Sequence, residues 1–229
     1  MLALVGTFAA RSFGGFADWS GITTGGGTTM QWDSLIPIQG AHSLVWVNGN
    51  GQTYATYLSA GVNATCGRLR VLHKRIDTAS SDVTPITTWG LYAQMQTSVS
   101  FGNSAYVLTF FPSASSTQFV LSKESLSTAL TDTTGLVTGF WPTGMNQPYV
   151  YAAQLNWQTD PISGSILLIG SVDGPIADPA TYDWSTLQAV VTYTDGSSPY
   201  HTGVNAGWYG VNIGTTRKDY YDLVDIFTN

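Results

Sequence analysis

Apolar and polar residues alternate along most of this chain, and clusters of glycine, proline and aspartate separate the alternating segments. A period of two places successive side chains on opposite faces of an extended backbone, which is typical of strands with one buried face. No long segment has the period of a helix, so the pattern predicts about a dozen antiparallel strands. The predicted strands are 43–48, 52–58, 67–76, 88–100, 105–111, 117–122, 149–158, 164–172, 187–193, 206–213 and 219–228.

The composition also favours β-structure. The 229 residues include a single glutamate, Glu124, and charged residues make up 10% of the chain, whereas an average globular domain has about 25%. Glutamate and lysine favour helices, while threonine, tyrosine and tryptophan favour strands. The sequence therefore predicts one all-β domain over residues 1–229, an antiparallel β-sandwich of the jelly-roll type, with short helical turns at 178–182 and 123–130.

Three connecting segments carry further predictions. The sequence Gly49-Asn50-Gly51 predicts a hairpin turn that joins the strands 43–48 and 52–58. Residues 20–29 are rich in glycine and threonine and predict a mobile loop. Residues 1–10 are apolar but lack the positive start of a signal peptide, so they predict a first strand.

Charge, hydropathy and cysteine content exclude several classes of protein. The formal net charge of −6 argues against a nucleic-acid partner, because such a partner needs many cationic contacts with phosphates. No apolar run approaches the roughly 18–20 residues of a membrane span. Cys66 is the one cysteine, which rules out an internal disulfide and predicts a small buried side chain.

The carboxylates and histidines do not form a catalytic pattern. Glycoside hydrolysis needs two carboxyl groups on opposite sides of the scissile bond, but the chain has one glutamate, and Asp222 and Asp225 are three residues apart, which puts them on opposite faces of a regular strand. No Gly-x-Ser-x-Gly motif accompanies the three histidines, and His73, next to basic residues, is predicted on the surface. We therefore expect no enzymatic activity.

The last third of the chain resembles a known family of sandwiches. Residues 206–213 read Ala-Gly-Trp-Tyr-Gly-Val-Asn-Ile, and the final strand contains Tyr221-Asp222-Leu223-Val224. These segments are similar to the closing strand pair of concanavalin-A-like and laminin-G-like domains, and Asn156-Trp157 with 166–174 resembles their penultimate hairpins. The resemblance implies a β-sandwich whose relatives include bacteriophage tail, fibre and head-decoration proteins, glycan-binding modules and a few glycoside hydrolases.

The same resemblance implies a role for Asp222. Carbohydrate-binding relatives hold a structural Ca²⁺ near the first and last strands, and Asp222 matches that family aspartate. Calcium takes several carboxylate and carbonyl oxygens, but the sequence has no Asp-x-Asp-x-Asp loop. Asp222 is therefore a candidate for a composite Ca²⁺ site or for a hydrogen bond to a nearby loop backbone, and we expect no other cofactor.

Half of the positive charge lies in one predicted strand. Arg68, Arg70 and Lys74 share a strand face, and Arg75 is adjacent. Two interpretations remain open: a solvated strand protected by its charge, or a contact with an acidic neighbouring subunit or an anionic glycan.

The tryptophans divide into predicted core and predicted surface residues. Trp46 and Trp157 lie in the middle of strands and are predicted to fill the core. Aromatic residues in probable loops could form a subunit interface, cap one end of the sandwich or stack on a sugar ring. The candidate contacts in probable loops are Trp141, Tyr182 and Trp184, and Trp208 of the predicted strand 206–213 is a further candidate.

Low charge, many hydroxyl side chains and the absence of a leader motif favour a structural virion protein of a bacteriophage, in the capsid or tail. Such a protein would form a trimer or larger homo-oligomer, bind other virion proteins and contact host surface glycans. The alternative is a carbohydrate-binding module of a secreted or surface protein, in which the loop aromatics bind sugar.

Overall fold

The structure of the protein is a computed structural model. It describes residues 9–12, 20–23, 28–35, 38–39, 43–48, 53–61, 65–77, 88–95, 104–112, 117–125, 136–141, 149–200, 203, 205–213 and 217–228. Among these residues, no helix is both long and apolar enough to cross a membrane.

The described residues form fifteen strands and two short 3-10 turns. In chain order the strands are β1 (Ala9–Ser12), β2 (Ser20–Thr23), β3 (Thr28–Asp33), β4 (Ser43–Asn48), β5 (Thr53–Gly61), β6 (Cys66–Asp77), β7 (Thr88–Met95), β8 (Ser104–Pro112), β9 (Thr117–Ser125), β10 (Val137–Trp141), β11 (Val150–Thr159), β12 (Ile166–Ile176), β13 (Gln188–Asp195), β14 (Asn205–Ile213) and β15 (Arg217–Thr228). The 3-10 turns are Pro179–Thr181 and Trp184–Thr186, and the first of them confirms the helical turn predicted at 178–182.

The strands form two antiparallel sheets. Sheet A has the order β13-β12-β11-β6-β15-β4-β3, and β1 also pairs with β15. Sheet B has the order β10-β9-β8-β7-β14-β5-β2. The chain crosses repeatedly between the sheets, so the predicted all-β antiparallel sandwich is confirmed.

The core between the sheets is rich in aromatic side chains. Trp157 of sheet A is buried there, as predicted, and Trp89 and Phe110 of sheet B stack with ring centroids 4.1 Å apart. Each fully buried large apolar side chain contributes roughly 1.5–3 kcal/mol. Aliphatic and aromatic side chains of both sheets therefore form one apolar layer that holds the sheets together.

His73 belongs to this layer, and its predicted surface position is wrong. Its side chain is 0% exposed, and its ring stacks on Trp89 at 4.0 Å. The reason is strand parity: His73 follows Leu69 and Val71 on the inward face of β6, so its basic sequence neighbours do not indicate its environment.

The predicted hairpin through Gly49-Asn50-Gly51 is also wrong. Strand β4 pairs with β3 and β15 in sheet A, whereas β5 pairs with β14 and β2 in sheet B. The turn residues lie outside the described residues. Alternation identified both strands, but it carried no information about their partners.

Other segment predictions fail in part. The predicted loop 20–29 contains β2 and the start of β3, and residues 123–125 of the predicted helical turn extend β9. The remainder of that turn, 126–130, lies outside the described residues. The predicted strand 88–100 is described only through Met95, and the predicted strand 1–10 only at its last two residues.

A bulge in β15 changes the geometry of the C-terminal aspartates. Asp222 pairs with Leu72, whereas Asp225 pairs with Arg70, so three steps on β15 match two steps on β6. Arg70 and Leu72 lie on the same face of β6, and the bulge therefore overturns the argument that places the two aspartates on opposite faces.

A second, smaller apolar cluster covers half of the outer face of sheet A. The cluster buries Leu72, Val150, Ala152 and Tyr220. Residues 176–187, which include both 3-10 turns and which we call the covering segment, pack against them. The described covering segment does not extend over the other half of this face, which we call the open half. The candidate site lies at the boundary between the covered half and the open half.

Candidate functional site

The candidate site lies where the covered and open halves of sheet A meet. The guanidinium carbon of Arg70 lies 4.7 Å from the ring centroid of Trp184. We define the Arg70–Trp184 surface by five residues of the outer face and its border. They are Arg68, Arg70, Gln154, Asn156 and Trp184.

Strand β6 directs its two arginines toward this surface. Leu69 and Val71 point into the core, so Arg68 and Arg70 point outward and are partly exposed, which confirms their predicted common face. Gln154 pairs with Arg70 across β11, and its Oε1 accepts a hydrogen bond of 2.7 Å from the Arg70 Nε. The guanidinium is therefore fixed between an amide and an indole ring.

Trp184 is held by the 3-10 turn that it begins. The Asp183 side chain accepts a hydrogen bond from the Ser185 amide at 2.9 Å, and the Thr186 amide donates to the Asp183 carbonyl at 3.1 Å. The hydrogen bond from the Ser185 amide lowers the pKa of the Asp183 carboxyl. A capped turn of this kind fixes the backbone that carries the indole.

Asp173 ties the turn to the sheet. Its Oδ2 accepts hydrogen bonds from the Tyr182 phenol at 3.0 Å and from the Thr186 hydroxyl at 2.5 Å. The Tyr182 ring meets Trp184 edge-on, with centroids 5.1 Å apart. Burial raises the pKa of the Tyr182 phenol, and its contact with the Asp173 carboxylate raises it further, against an opposing hydrogen bond with Thr186. Tyr182 therefore supports Trp184 as a neutral phenol.

Asp222 lies near the covering segment and binds a loop. Its Oδ2 accepts hydrogen bonds of 3.0 Å from the Gln39 amide and from the Ser43 hydroxyl. The Gln39 side chain donates in turn to the carbonyl of Pro179 at 3.1 Å. The loop hydrogen bond that was one of the two interpretations of Asp222 is therefore present. Within the described residues, no group of three or more His, Cys, Asp or Glu side chains could hold a metal ion.

Two of the predicted aromatic contacts lie inside the sandwich. Trp208 is 2% exposed and belongs to the core, so its prediction as a surface contact is wrong. Trp141 is not in a loop but in β10, where it is 8% exposed and donates a hydrogen bond to the Gly174 carbonyl at 3.3 Å. Alternation along β10 turns Trp141 inward and its neighbour Phe140 outward, and Phe140 is 70% exposed.

A buried polar cluster lies at the opposite end of β13 from Trp184. The Asp195 carboxylate accepts hydrogen bonds from the Tyr106 phenol at 2.6 Å, from the Lys123 ammonium at 2.8 Å and from the Ser197 amide at 2.9 Å. Burial alone would raise the pKa of Asp195, but these hydrogen bonds outweigh it and hold the pKa below its usual value. Burial, together with Asp195, raises the pKa of the Tyr106 phenol. The cluster joins the two sheets.

Sequence reasoning named Arg68, Arg70, Tyr182 and Trp184 but missed the amides beside them. Gln154 and Asn156 alternate with core residues of β11, so their outward face could be read from the pattern, although Gln154 is only 8% exposed beside Arg70. Their positions opposite Arg70 and Arg68 come from the pairing of β11 with β6, and no local signal gives that pairing.

No protein-family model and no curated protein sequence matches this chain. Solved structures do match its fold. The Emp46p carbohydrate recognition domain in its potassium-bound form is 7% identical with a TM-score of 0.57, and the match covers 93% of this chain and 89% of that one. The exoplasmic/lumenal domain of VIP36 in its Ca²⁺/Man2-bound form is 8% identical with a TM-score of 0.58, over 93% and 81% of the two chains.

A protein of unknown function from Bacillus subtilis, with a galectin-like fold, is 11% identical with a TM-score of 0.51, over 91% of this chain and 88% of that one. At such identities the likeness establishes the fold. The concanavalin-A-like sandwich implied by the C-terminal residues is therefore confirmed.

Proposed function

We propose that this protein is a non-catalytic glycan-binding domain and that the Arg70–Trp184 surface contacts the sugar. The observation that carries the proposal is the position of Arg70, which stacks on Trp184 while its Nε is fixed by Gln154. An indole ring offers an apolar surface to the C–H face of a sugar, and guanidinium and amide groups offer hydrogen bonds to hydroxyls. All of these groups lie on one side of sheet A.

Preorganisation supports this role. Trp184 is fixed by a capped turn that Asp173 holds to β12, and Arg70 is fixed from two sides. Groups already ordered in the free protein lose little conformational entropy when they bind a ligand. A solvated strand of positive charge would not need such restraints.

The compared structures support the same class of function by analogy. The Emp46p structure is that of a carbohydrate recognition domain, and the VIP36 domain was solved in a Ca²⁺/Man2-bound form. A shared fold does not fix function, so the argument rests on the residues of the site. The virion role, the homo-oligomer and the virion partners stay predictions, because no described contact and no named structure tests them.

The test is binding of the purified protein to an array of neutral and acidic glycans, followed by calorimetry with the glycans that bind. We expect Arg70→Ala and Trp184→Ala to weaken binding at least about tenfold, which is about 1.4 kcal/mol. Lys74→Ala is the matched control, because it removes a positive charge from the same strand face beneath the covered half. Unchanged thermal unfolding must accompany each loss of binding. Binding by both site variants at wild-type affinity would contradict the proposal.

A further inference from the structure

The open half of sheet A extends well beyond Arg70. Asn156 pairs with Arg68 across β6 and with Ile169 across β12, and Thr192 of β13 pairs with Ile169 in turn. These four residues therefore form a row that crosses four strands on the outer face. Three strand spacings of roughly 4.8 Å make this row about 14 Å long.

A second row runs parallel to the first, farther from Trp184. Gln158 pairs with Leu167, and Leu167 pairs with Thr194. Both threonines are exposed, and Gln158, Leu167 and Ile169 are partly exposed. The surface thus alternates amide or hydroxyl groups with aliphatic side chains over an area much larger than one sugar ring.

The charges around this area are balanced. Among the residues whose side chains the structure describes, Arg68 and Arg70 are the cations of this area. Asp173 and Asp183 border the area beside Trp184. Two positive residues with two aspartates nearby do not produce the excess of positive charge that binding of a polyanion requires.

Together these features define the ligand more closely. Resting on the glycan-binding function proposed above, we infer that the ligand is an uncharged, extended oligosaccharide that lies across β6, β11, β12 and β13, with one end at Trp184. A monosaccharide would contact only the border at Trp184, whereas a longer chain would also reach Asn156 and Thr192. Affinity should therefore increase with chain length.

The test is calorimetric titration with mannose, β-1,4-linked glucose and galactose oligomers of one to six units, and with galacturonic acid oligomers of the same lengths. We expect affinity for at least one neutral series to rise about tenfold or more between one and four units. We expect no tighter binding of the acidic series at low salt. Equal affinity for the monomer and the hexamer, or tighter binding of the acidic oligomers that salt abolishes, would overturn the inference.

Two variants test which residues cause the increase of affinity with oligosaccharide length. Thr192→Ala should remove part of the gain with length while leaving the affinity for short oligomers unchanged, because Thr192 is remote from Trp184. Thr138→Ala, an exposed threonine of β10 in sheet B, is the matched control and should bind as the wild type does. If no sugar of any length binds, the proposed function itself fails. Binding without dependence on length or on Thr192 defeats only the inference.

Discussion

The Tyr106 phenol donates a hydrogen bond of 2.6 Å to the Asp195 carboxylate and thereby joins the two sheets at one end of the sandwich. Tyr106 lies on β8 of sheet B, and Asp195 ends β13 of sheet A. Lys123 of β9 forms an ion pair with the same carboxylate oxygen at 2.8 Å. Since both donors act on the ionised carboxylate, the strength of this link depends on pH.

We expect Asp195→Asn to lower the free energy of unfolding by about 2 kcal/mol at neutral pH, because a hydrogen bond to a charged group contributes roughly 1.5–3 kcal/mol. The folded-state pKa lies below the ordinary value of 3.8. The stabilisation is therefore complete above that ordinary value and is lost as pH falls through the folded-state pKa. Urea unfolding at a series of pH values should show the difference between wild type and variant vanishing in acid. A difference that is constant with pH would contradict the assignment.

The edges of the two sheets meet at Gly139 of β10. A Cβ at this position would lie 2.5 Å from the Val190 carbonyl oxygen of β13 and 3.1 Å from a Val191 methyl group. We expect Gly139→Ala to destabilise the protein by about 1–3 kcal/mol, as overpacking does elsewhere. Gly196→Ala is the control, because a Cβ there meets nothing within 4 Å. Thermal or urea unfolding of the two variants distinguishes a tight contact from a general cost of replacing glycine.

Adjacent aromatics of β10 should differ sharply in their contribution to stability. Trp141 is buried and donates to the Gly174 carbonyl, whereas Phe140 is exposed. We expect Trp141→Ala to cost about 3–5 kcal/mol and Phe140→Ala to change the unfolding free energy by no more than about 0.5 kcal/mol. Denaturant unfolding measures both. Equal effects would mean that β10 does not have the orientation described here.

The strands of this fold could be predicted largely from the sequence, but their partners could not. Alternation predicted β4 at the bounds it has in the structure and located the centres of β6 and β8. It missed β10, which is short and contains Gly139. The glycine-containing turn also led to a wrong prediction that β4 pairs with β5. A turn is a local signal, whereas strand pairing depends on which buried faces meet across the whole sandwich.

The sequence predicted several residues of the candidate site, but it did not predict how they contact one another. Arg70 and Trp184 were each named from residue type, yet their contact depends on the turn that Asp173 holds over sheet A. The prediction of Trp208 as a surface contact is wrong for the same reason, because the sequence does not show which residues pack against it. His73 is different, since the inward parity of Leu69 and Val71 was visible in the sequence and would have placed it in the core.

The hydrogen bonds between Asp173 and the turn that carries Trp184 lead to a final prediction. Asp173 does not belong to the Arg70–Trp184 surface, but it fixes the turn through Tyr182 and Thr186. We expect Asp173→Ala to weaken glycan binding about fivefold, since loss of a positioning hydrogen bond of about 1 kcal/mol has that effect on Kd. Asp178→Ala is the matched control, because Asp178 caps the other 3-10 turn through the Ala180 amide. Calorimetry with the same oligosaccharide should show reduced affinity only for Asp173→Ala, together with broader Trp184 indole signals in NMR spectra. Equal losses in both variants would indicate a general effect of removing carboxylates rather than the positioning of Trp184.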